Sequence, residues 1–74
     1  MSIEKAIIVE ETVEGTVLVQ RQDGSIWVLD PKVGWCKWAW KYEGKEVDLE
    51  FGNRESRLTN DKGESCDFWT EKPL

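Results

Sequence analysis

Glycine recurs along the chain at positions 15, 24, 34, 44, 52 and 63, and the stretches between are short, alternating and rich in β-branched and aromatic residues. A stretch of that length makes a marginal helix in water, whereas alternation with period two suits a half-buried strand. The spacing therefore favours short strands joined by close turns. Thr16 to Gln20 follows Gly15 as a compact β-branched run, and Asp23-Gly24 is a residue pair favoured in two-residue type I′ hairpin turns. With such a turn, Val19 is expected opposite Val28, Gln20 opposite Trp27 and Leu18 opposite Leu29. Both faces of this hairpin are then apolar, as in a strongly curved barrel or at a surface that meets a partner. Pro31 ends the return strand because it has no amide N–H to give to a ladder.

The segment Trp35 to Tyr42 holds three of the five tryptophans and is followed by Glu43-Gly44 and the alternating run Lys45 to Phe51. Read with period two, it predicts a second hairpin turning at Glu43-Gly44. Trp40 then faces Val47, Trp38 faces Leu49 and Cys36 faces Phe51, while Lys41 meets Glu46 and Lys37 meets Glu50 on the reverse face. Apolar groups paired on one face and opposite charges on the other are what cross-strand energetics favour. The competing pattern is helical: Trp35, Trp38, Ala39 and Tyr42 have i, i+3, i+4, i+7 spacing, with Gly44 as a C-cap. It leaves Trp40 pointing away from the stripe and makes a very short helix, so the strand reading is preferred.

Gly52-Asn53 and Asn60 to Gly63 mark further turns around a weak strand at Arg57 to Thr59. The last strand is expected over Glu64 to Thr70, with residues 71–74 as a frayed tail. Seventy-four residues suffice for one core and not two. The expected fold class is all-β: a small antiparallel barrel of five to seven short strands, SH3-like, formed by residues 1–74. An OB-like barrel fits less well, because no helix signal separates the middle strands.

The chemistry available is limited. Histidine is absent, which removes the commonest general base near neutral pH and every His-containing zinc pattern. Cys36 and Cys66 form no Cys-x-x-Cys pair, and the expectation is two reduced, mostly buried thiols. No glycine-rich phosphate loop occurs. These absences point to a protein that is not an enzyme and uses no metal or cofactor. Fifteen acidic against ten basic side chains give a net charge of −5, which repels phosphate backbones and anionic membranes, so nucleic acid is an unfavoured partner. The apolar run Ala6 to Val9 is too short for a signal peptide or a membrane span, so the expected location is cytoplasmic.

Function then has to be sought in the aromatic residues. Trp38 and Trp40 are expected in the core. Trp27, Trp35 and Trp69 cannot all share the main face, and together with Leu18 and Leu29 they are the candidate binding residues. Tryptophan at a surface is a usual part of binding platforms. The expected function is a non-catalytic protein-interaction domain or a self-associating one, as a homodimer. The alternative is a ligand-recognition module whose Trp-lined groove takes carbohydrate, a Pro-rich peptide or a methyl-lysine peptide.

Overall fold

The computed structural model describes residues 2–74. Six strands are present: β1 (Ile3–Glu11), β2 (Val17–Gln20), β3 (Ile26–Pro31), β4 (Glu46–Glu50), β5 (Glu55–Thr59) and β6 (Ser65–Pro73). Among the described residues one 3₁₀ turn, Ala39–Tyr42, lies between β3 and β4. β1–β2–β3 and β4–β5–β6 are two meanders. Antiparallel pairing of β3 with β6 and of β1 with β4 closes them into a barrel in the order β1-β2-β3-β6-β5-β4. The fold is thus all-β, a closed six-stranded antiparallel barrel consistent with the small SH3-like type.

Alternation fills the interior. Ala6 and Ile8, Val17 and Val19, Leu29, Val47 and Leu49, Leu58 and Phe68 point inward from successive strands and form one core cluster. Two groups of side chains close the ends. At one end, residues 32–45 arch over the barrel and bury Cys36, Trp38 and Ala39. Gly44 N–H donates to the Ile8 carbonyl at 2.6 Å, anchoring the arch to β1. At the other end, Trp27 meets Phe51 edge-on with centroids 4.9 Å apart, and the Arg21 guanidinium covers the Phe51 ring at 3.9 Å. Arg21 is itself fixed by Glu4 at 2.8 Å. That hydrogen bond holds the Glu4 carboxyl below the ordinary carboxylate range.

Two expected registers are corrected. In the first hairpin, Val17 faces Leu29, Leu18 faces Val28 and Val19 faces Trp27, one step from the expected pairing. The loop has three residues, not two. Arg21 and Ser25 close it, and Gly24 takes φ +90° while its N–H donates to the Arg21 carbonyl at 2.9 Å. This is a type I turn followed by a glycine bulge, the next commonest hairpin solution after the two-residue turns.

The second correction is larger, because residues 35–42 form no strand. Glycines at positive φ bracket the segment, Gly34 at +59° and Gly44 at +80°. Between them the chain winds into the 3₁₀ turn, with Lys41 N–H donating to the Trp38 carbonyl at 3.0 Å. Trp38 and Ala39 turn inward, and Trp40, expected in the core, is 58% exposed. The partner of β4 is β1: Val47 faces Ala6, and Asp48 takes Lys5 at 2.6 Å. The alternation in β4 is real, but β1 satisfies it as well as the Trp segment does on paper. Glu50 faces Arg57 across β5, so the expected Lys41–Glu46 and Lys37–Glu50 cross-strand pairs do not form. At the C-terminus, residues 71–73 continue β6, and Leu74 N–H donates to the Ile26 carbonyl at 2.7 Å.

Candidate interaction surface

Trp35 follows Gly34 and lies flat over the turn between β1 and β2. A Cβ added to Gly15 would stand 3.3 Å from its ring, so glycine is what lets the indole settle there. The outer part of Trp35 is left open, at 55% exposure. Trp69 is reached by a different route. In β6, Phe68 points into the core, so its neighbour Trp69 must point out, between Asp30 of β3 and Glu55 of β5. It is 48% exposed.

Lys32 adjoins both indoles, lining a cleft with Trp35 and lying over the ring of Trp69. Its backbone N–H donates to the Asp67 carbonyl at 3.1 Å, which fixes the start of the arch against β6. Its ammonium stands 4.5 Å from the Trp69 ring centroid and also pairs with Glu55. Two clefts adjoin here and share Lys32 and Asp67. One, of about 280 Å³, runs past Pro31, Val33 and Trp35; the other, of about 260 Å³, runs past Glu55, Ser56 and Arg57. Arg57 Nε donates to Asp67 at 2.7 Å, and this bond pulls the Asp67 carboxyl below its ordinary range.

The five sequence candidates are therefore divided. Trp35 and Trp69 are exposed around Lys32. Trp27 plugs the far end of the barrel, half-buried, with its indole N–H on Ser25 Oγ at 3.1 Å. Leu29 is fully buried in the core. Leu18 is on the outer face beside Val28. Sequence reasoning passed over Lys32 and Asp67. Their role depends on β3, β5 and β6 coming together, and no local signal announces it.

Among the described residues, no group of three or more His, Cys, Asp or Glu side chains is placed to hold a metal ion. Likewise no helix is long and apolar enough to cross a membrane. Compared with protein-family models, with curated proteins and with solved structures, the chain matches none.

Proposed function

We propose that this chain is a non-catalytic interaction domain that binds an extended segment of a protein partner across Trp35, Lys32 and Trp69. The observation that carries this reading is the exposure of two indoles near one lysine: Trp35 lines one of two adjoining open clefts, and the ring of Trp69 carries the ammonium of Lys32, which lines both. In a domain this small every buried aromatic contributes heavily to stability. A half-exposed tryptophan forgoes burial that a partner can supply, and Trp35 and Trp69, unlike Trp40, sit beside the clefts. Tryptophan is enriched at the centres of binding interfaces, where it supplies much contact area from a rigid side chain. Each cleft is smaller than the usual 300–1,000 Å³ of small-molecule sites. Their continuation past Lys32 suits a chain laid along the surface better than an enclosed molecule.

A binding role also agrees with the charge states here. Asp67 is kept ionised by Arg57 and has no neighbouring histidine to exchange a proton with.

The test is selection of peptides from a displayed random library on the full chain. Enriched peptides should bind roughly tenfold or more weakly to Trp35→Ala and to Trp69→Ala, as hot-spot truncations do. Trp40→Ala, exposed but lining neither cleft, should bind normally. Peptides that bind the Trp35→Ala/Trp69→Ala double variant as tightly as the parent would sink the reading.

A further inference from the structure

The arch and the last strand bring together two side chains that line the Trp35 cleft but are not among the residues proposed to bind. Cys36 is on the arch, 1% exposed, and lines the same cleft as its neighbour Trp35. Cys66 is in β6 on the inward side of the alternation with Phe68 and Thr70, opposite Leu58, and packs against the core cluster. Both are free thiols, and both line the same cleft as Trp35. They are neighbours although they lie thirty positions apart in the sequence. Burial pushes the Cys36 thiol up to about 12, and a hydrogen bond with the Cys66 thiol adds to the effect. Cys66 is the partly exposed member of the pair, so an incoming reagent meets it first.

We propose that Cys36 and Cys66 form a dithiol site that closes to an intramolecular disulfide by exchange with a low-molecular-weight disulfide of the oxidised-glutathione class. This inference is independent of the binding reading. In the first step Cys66 gives its proton to water, and its sulfur attacks one sulfur of the reagent as the reagent's S–S bond breaks. One glutathione leaves as a thiolate and takes up a proton from water, leaving a mixed disulfide on Cys66. Capping Cys66 removes its hydrogen bond and its charge repulsion from Cys36. Cys36 then gives its proton to water and attacks the Cys66 sulfur, expelling the second glutathione. Two protein thiols are oxidised and one glutathione disulfide is reduced to two thiols. The product ties the arch to β6 across a long loop, which restricts the unfolded chain more than a short loop would.

The experiment treats the full reduced chain with oxidised glutathione in mildly alkaline buffer and follows intact mass and thermal melting. A transient single adduct at Cys66 should convert to a monomer lighter than the reduced chain by two hydrogens. Its melting temperature should rise by about 10 °C or more, as the loop length implies. Cys36→Ser should stop at the Cys66 adduct, and Cys66→Ser should leave Cys36 unmodified. If Cys36→Ser fails to fold, Cys36→Ala gives the same readout. Stable glutathione adducts on the parent chain, first modification at Cys36, or disulfide-linked dimers in place of the closed monomer would each overturn the proposal.

Discussion

Trp38 shows how much one side chain carries in so small a barrel. It is 6% exposed, meets Tyr42 edge-on at 5.5 Å, and seals the barrel beneath the arch. Its indole N–H is buried without a partner. Trp38→Ala should cost about 3–5 kcal/mol from lost transfer energy and a cavity, which is much of the stability such a domain has. Trp38→Phe should cost clearly less, because it also removes the unpaired donor, whose burial is unfavourable by about 1–3 kcal/mol. Denaturant titration measures both. A loss below about 1 kcal/mol for Trp38→Ala would place the residue outside the core. Tyr42 supports a pH prediction. Its hydroxyl donates to Asp61, and this bond, with burial, pushes the phenol from about 10 up to about 12. The folded chain then holds that proton more tightly than the unfolded chain does. The contribution is whole below pH 10 and is lost as the pH rises from 10 to 12. Over that range the melting temperature of Tyr42→Phe should fall less than that of the parent. Equal falls would mean the hydrogen bond contributes nothing.

At the scale of elements, the same loop is used three times. Thr12 and Thr16, Arg21 and Ser25, and Asn60 and Glu64 each close a three-residue hairpin loop, with Gly15, Gly24 and Gly63 at φ between +83° and +94°. In each, the glycine N–H donates to the first residue's carbonyl. Alanine at such a φ costs roughly 1–2 kcal/mol. Gly24→Ala meets nothing within 4 Å and should show that cost alone, whereas the Cβ of Gly15→Ala would press on Trp35. Gly15→Ala should therefore lose more stability and also shift tryptophan fluorescence. Equal losses with unchanged emission would mean that Trp35 does not rest on Gly15. This loop also explains what the sequence could and could not reveal. The positions of β2, β3, β4 and β6 follow from alternation and turn residues, and both survive folding. The first register was missed because Asp23-Gly24 serves a two-residue turn and a glycine bulge equally well, and one extra residue exchanges the two faces. The segment 35–42 was missed for a different reason. Period two and period 3.6 both fit eight residues, and the decision rests on β1, not the Trp segment, being the partner of β4. Of the candidate surface, Trp69 follows from being out of phase with Phe68, and Trp35 from its position after Gly34. Lys32 gains its role only when β3, β5 and β6 meet.

At the scale of the whole molecule, the barrel is closed, so no strand edge is left to pair with another chain. Association must use side chains. The hairpin β2–β3, read with a two-residue turn, offers an apolar patch of Leu18, Leu29 and Trp27 for a second copy. The register found dissolves that patch. Leu29 enters the core beside Val17, and Trp27 turns inward opposite Val19 to cover Phe51. Leu18 and Val28 are left on the outer face with Glu10 and Lys72 across the neighbouring strands. Leu18 is only partly exposed and Val28 is buried, so little apolar surface is open there, and a net charge of −5 opposes bringing two copies together. Sedimentation equilibrium at tens of micromolar should therefore return a monomer of 8.6 kDa. Trp27→Glu is an unsuitable probe of association, since a carboxylate placed against Phe51 and the core should unfold the barrel. Leu18→Lys is the suitable one, because it changes the outer face and leaves the interior intact. A dimer that persists in high salt and disappears in Leu18→Lys would refute the monomer prediction and make the outer face of β1–β3 the partner surface.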